Sequence, residues 1–154
     1  MFLIANAVVF AQENKAKEQI SSLIDIYAQA RENKDSTLLR GILTTDIDQL
    51  VSTGEWRNGL DESLKGMQQS TTTKPGPRTL TVEKIKFPTK DIGIVDARYI
   101  IQNSDSDQRK MWSTFIVVRK KGIWKITSIR NMFPTGDYWP QKKPQRVSSG
   151  LFNI

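Results

Sequence analysis

Two strand-like runs meeting at Lys121-Gly122 constrain this chain more than any other feature: RKMWSTFIVVRKKGIWKITSIRNM, from Arg109 to Met132. The arms, Met111 to Val118 and Ile123 to Met132, are rich in β-branched and aromatic residues, and the glycine supplies the positive φ that a tight turn requires. A hairpin this long and this apolar has to be buried on one face. It reads as the central pair of a curved antiparallel sheet, and the remaining elements must pack around it.

Upstream, Ile20, Leu23, Ile24, Tyr27 and Ala28 or Ala30 recur at three- and four-residue spacing between Glu13 and Asn33, which predicts a long amphipathic helix. Asp35-Ser36 caps a shorter helix through Leu43, and Asp61 caps a third over Glu62 to Gln69. Short strands are expected at Asp46 to Thr53 and around Trp56, followed by long ones at Thr79 to Phe87 and Ile92 to Ile101. In the last of these, Gly93, Val95, Ala97 and Tyr99 share the face placed inward, where small residues let a helix approach.

At 154 residues, with 38% hydrophobic and 25% charged, the chain suits one globular domain. Three segments are expected: 1–11 as the remnant of a secretory signal, 12–134 as the domain and 135–154 as a basic tail. MFLIANAVVFA carries no charge and is too short to span a bilayer, so export is favoured over a cytoplasmic location, although the positive start of a signal is missing. The net charge of +7 is spread along the chain with no recognition motif beside it, so no nucleic-acid partner is expected. Cysteine and histidine are absent, which excludes disulfides, thiol nucleophiles, imidazole bases and thiolate or imidazole metal sites. There is no glycine-rich phosphate loop or dinucleotide fingerprint, and neither cofactor nor metal is expected.

The segments LIDIYAQARENKD, TTDIDQLVSTGEWRNG, RTLTVEKIKF and MWSTFIVVRKKGIWKITSIRNMFP, in that order, resemble the nuclear-transport-factor-2-like superfamily and its bacterial SnoaL-like branch, over about Glu18 to Pro134. The resemblance implies an α+β fold: a cone-shaped curved antiparallel sheet of about six strands, two of them short, wrapped around a pocket closed by three N-terminal helices. It also implies a homodimer through the outer sheet face. Such folds host isomerases, cyclases and hydrolases as well as non-catalytic binders, so fold alone does not assign function.

Candidate chemistry is sparse. Asp46 and Asp48 are the candidates for a general base, against a reading as turn and cap residues. Tyr27 and Tyr99 are candidate phenolic donors, against a reading as core tyrosines. Arg130 shares a strand face with Trp124, Ile126, Ser128 and Met132, and with Trp124 and Ile126 in the core, as their size suggests, it points into the open end of the cone. There it would meet a ligand or pair with Asp46 or Asp48. With a two-residue turn Ser113 lies opposite Arg130, and a one-residue change would bring Trp112 or Thr114 there instead. Trp56 and Trp112 wall the pocket mouth, plug the cone or cover a dimer edge. The expected function is binding of a small apolar organic molecule, with cofactor-independent isomerase, cyclase or hydrolase chemistry if it is an enzyme. The alternative is a non-catalytic assembly module acting through the outer sheet face.

Overall fold

The computed structural model describes residues 2–103, 107–136 and 139, with side chains from Val9 onward. The apolar start through Val8 and the tail from Pro140 therefore lie outside the described side chains, as do Asp137 and Tyr138. Helix α1 (Phe2–Glu32) leads into α2 (Ser36–Ile42), β1 (Leu43–Leu50), β2 (Trp56–Asn58) and α3 (Gly59–Thr73). Strands β3 (Arg78–Thr89), β4 (Ile92–Gln102), β5 (Gln108–Lys120) and β6 (Ile123–Met132) follow. They form one six-stranded sheet in the order β2-β1-β6-β5-β4-β3, so the β5–β6 hairpin is its central pair. Every pairing is antiparallel except β1 with β6.

Local chemistry explains the elements. Asp35 caps α2 by accepting from the Leu38 amide at 2.8 Å. Helix α3 starts earlier than Asp61, at Gly59, and Asp61 instead sits in its first turn, where a carboxylate suits the helix dipole, paired with Arg40 at 2.8 Å. Lys121 and Gly122 take φ of 52° and 79°, the two positive values of a type I′ turn, with Lys120 opposite Ile123.

The inner face of the sheet receives Gly93, Val95, Ala97 and Tyr99 from β4, as the alternation predicts, and Ser113, Phe115 and Val117 from β5. Helix α1 lies against this face through Ile20, Ile24 and Tyr27, each at most 1% exposed. Tyr27 meets Phe115 edge to face at 5.3 Å between ring centroids, a pairing that adds about 0.5–1.5 kcal/mol to simple burial. A Cβ on Gly93 would stand 2.8 Å from a Val117 methyl and 3.2 Å from Ile20 Cδ1, so the close approach of α1 does depend on that glycine.

The regular alternation expected for β6 does not hold. Val117 pairs with Ile126 but Ile116 pairs with Ser128, so Thr127 is an extra residue, a β-bulge. Trp124 and Ile126 face inward, and beyond the bulge Ile129 and Asn131 do so, opposite Phe115 and Ser113. Arg130 is thereby turned to the outer face, opposite Thr114, correcting its placement in the cone. Strand β1 is irregular at the same height, between Leu43 and Asp48, and the Thr44 hydroxyl donates to the Thr127 hydroxyl across the gap at 3.1 Å.

Candidate functional site

A pocket of about 200 Å³ opens at the wide end of the cone. One wall is β1, β2 and the turn between them, through Gln49, Glu55 and Arg57; the opposite wall is Tyr99, Ile101 and Met111 of β4 and β5. Arg31, at the end of α1, and Thr73 and Lys74, at the end of α3, close a third side, with Arg109 and Asn131 at the sheet.

The lining is cationic. Arg31, Arg57, Lys74 and Arg109 face the space, against a single carboxylate, Glu55. Arg31 is 5% exposed and touches no carboxylate among the described residues. Its guanidinium donates to the Tyr27 hydroxyl at 2.9 Å and, at 3.4 Å, to the Met67 carbonyl and the Thr71 hydroxyl. Burying a cation without an opposite charge is costly, so neutral oxygen acceptors leave this one under-compensated. Burial pushes the Tyr27 phenol above its usual value, with the Arg31 charge opposing, so the hydroxyl stays protonated at neutral pH.

Arg57, 9% exposed, projects inward from β2 opposite Gln49. Its Nη1 donates to Gln49 Oε1 at 3.2 Å and its Nε to Glu55 Oε1 at 2.9 Å. The guanidinium lies against Gly66 of α3, where a Cβ would overlap it. Arg109 donates to the Ser52 hydroxyl at 3.1 Å and stacks on the Phe133 ring. Ser113 donates to Asn131 at 2.6 Å beneath the floor. A larger groove of about 620 Å³ runs between the first half of α1 and Phe87, but its arginine, Arg119, is already paired with Asp91 at 2.8 Å.

The residues singled out from sequence divide between the two faces. Tyr99 lines the pocket, while Tyr27 and Ser113 stand just behind it in the core. Asp46, Asp48, Arg130, Trp56 and Trp112 are on the outside of the sheet or exposed. Asp48 takes Arg130 in a two-pronged ion pair, both bonds 2.9 Å, with the Ser128 hydroxyl also donating to it. That guanidinium, followed by the serine, holds the Asp48 carboxyl below the usual carboxylate range against the opposing effect of partial burial. Trp56 covers Arg130 at 4.7 Å from ring centroid to Cζ, and Trp112 meets Trp139 at 5.5 Å. Neither tryptophan walls the pocket mouth, because β2 and β5 turn those positions outward.

Sequence reasoning missed Arg31, Arg57, Gln49 and Glu55. One signal was present: Arg31 follows Tyr27 by four residues and so falls on the apolar stripe of α1. A second was the spacing of Trp124, Ile126 and Ile129, whose last step of three breaks a period of two. Among the described residues no group of three or more acidic side chains is arranged to hold a metal.

No known protein-family model matches the chain, and no curated protein matches it by sequence. Solved structures do. A nuclear-transport-factor-2-like protein of unknown function from Shewanella oneidensis aligns with a TM-score of 0.65 at 20% identity, covering 77% of this chain and 99% of that one. A domain of unknown function with a cystatin-like fold from Nostoc punctiforme aligns at 0.69, with 13% identity and 78% of each chain covered. A protein from Novosphingobium aromaticivorans named as a candidate scytalone dehydratase aligns at 0.65, with 14% identity over 86% of this chain and 93% of that one. The chain has the nuclear-transport-factor-2-like fold, an α+β cone with a mixed curved sheet. No helix among the described residues is long and apolar enough to cross a membrane.

Proposed function

We propose that this protein binds a small organic anion in the pocket at the wide end of its cone. The observation that carries the reading is Arg31: a nearly buried guanidinium, lining the pocket, with no carboxylate partner among the described residues. Arg57, Arg109 and Lys74 add positive potential, and Tyr99, Ile101 and Met111 supply an apolar wall for the body of the ligand. The apolar ligand expected from the sequence is thus refined to an amphipathic one. Glu55 is the one carboxylate lining this space, while Asp46 and Asp48 face away from it, so binding accounts for the geometry better than acid–base turnover there.

The test is calorimetry with benzoate and its neutral isostere benzamide. Benzoate should bind at least tenfold more tightly, and Arg109→Gln, at the rim, should weaken it. Equal affinity for the two overturns the reading, as does failure of every form of the protein, Glu55→Gln included, to bind benzoate.

A second reading is favoured by the outer sheet face, where Ile94, Ile100, Ile116 and Trp112 are only half-buried. We propose this face as a homodimer contact; sedimentation equilibrium of the wild type and of Ile116→Lys tests it, and a monomeric wild type refutes it. Export remains a proposal supported by Val9 and Phe10, which are 63% and 67% exposed and so contribute little to the domain.

A further inference from the structure

Glu55 and Arg57 make an unequal pair. The guanidinium is held rigidly, by Gln49 on one side and by the bare backbone of Gly66 behind, and its side chain is 11% exposed. The carboxylate is not: the Glu55 side chain is 58% exposed and reaches Arg57 through one bond, from Nε to Oε1. The other donor on that edge, Nη2, has no partner among the described residues. Arginine satisfies a carboxylate best through two parallel bonds, one from each nitrogen of an edge. Glu55 lies only two residues from Arg57, in a turn closed by the Val51 amide on the Glu55 carbonyl at 3.0 Å and the Gly54 amide on the Val51 carbonyl at 2.9 Å. That tether keeps the turn in place while leaving the glutamate side chain free to rotate into water.

We propose that Glu55 is a resident stand-in for the ligand, and that the pocket takes an organic carboxylate, which displaces Glu55 and closes on the Nε–Nη2 edge of Arg57. The proposal rests on the anion-binding reading above and narrows it to carboxylates. The incoming group makes two bonds where Glu55 makes one, and the released glutamate regains its hydration. The apolar wall formed by Tyr99, Ile101 and Met111 then receives the rest of the molecule. Because Glu55 competes with it, the pocket binds weak or dilute carboxylates poorly.

The experiment titrates benzoate and benzamide into wild type, Glu55→Gln and Glu55→Ala. Both variants lose the competing charge and, because the side chain is largely exposed, should melt within a few degrees of wild type. Benzoate should bind each of them about tenfold more tightly than wild type, the order of one charge-assisted hydrogen bond, with benzamide unchanged. If wild type binds benzoate but the variants bind it equally or more weakly, the stand-in role is overturned while anion binding stands. If no form of the protein binds benzoate, both fall.

Discussion

Arg130 grips Asp48 through two 2.9 Å bonds on the outside of the sheet, beneath the indole of Trp56. Both side chains keep about a third of their surface in water, 34% and 38%, which limits what the pair contributes. Asp48→Asn should therefore lower the unfolding free energy by roughly 0.5–1 kcal/mol near neutral pH, measured by urea denaturation. Benzoate binding should not change, since the pair faces away from the pocket.

The same pair predicts the acid limb of the stability curve. In the folded protein the Asp48 carboxyl lies below its unfolded value of about 3.9. The unfolded chain then takes up its proton first as the pH falls, so stability is present above the unfolded value and is lost as pH drops through the folded one. Wild type should lose more stability than Asp48→Asn between neutral pH and that acid range. Parallel curves for the two proteins would refute it.

Gly66 and Gly41 make a matched comparison. A Cβ at Gly41, in α2, meets nothing within 4 Å, whereas one at Gly66 overlaps the Arg57 guanidinium. Gly41→Ala should stabilise by about 0.5–1 kcal/mol through helix propensity alone. Gly66→Ala should gain no stability, because Arg57 has to move, and should weaken benzoate at least tenfold.

Gly93→Ala probes the contact between helix and sheet. Its new methyl would press on Val117 at 2.8 Å and Ile20 at 3.2 Å, within a core where both neighbours are fully buried. A loss of about 1–3 kcal/mol is expected, typical of overpacking, and thermal melts read it directly.

Removing residues 1–11 should leave the melting temperature within a few degrees of the full chain. Ala16 is the first buried side chain among those described, so the shortened helix keeps every buried contact described for it. Circular dichroism of the two forms decides it.

Elements with strong local rules were legible from sequence: the Lys121-Gly122 turn, the Asp35 cap, the inward face of β4 and the stripe on α1. The candidate site was less so. A face assignment carried across Thr127 inverts, because one unpaired residue shifts a period of two by half its length, and Arg130 was misplaced for that reason. In β1 the alternation is regular from Asp46 to Leu50, so Gln49 faces the pocket and Asp48 the outside, but nothing in the short run itself says which face is inward. Arg57 and Gly66 meet only when α3 folds back on β2, a non-local contact that no spacing along the chain announces.

The irregularities in β1 and β6 meet at Thr44 and Thr127, and together they crease the sheet. The main apolar cluster runs past that crease, from Ile20, Val117 and Ile126 to Phe115, Ile129 and Ala97, while Tyr99, Ile101 and Met111 form a separate small cluster beside the arginines. The apolar wall of the pocket is thus a small cluster of its own, joined to the main one through Leu80, which packs against both. Substitutions at Tyr99, Ile101 or Met111 should then reshape the pocket at less cost to the molecule than substitutions in the main cluster, whereas Arg31 is tied to that cluster through Tyr27 and Met67.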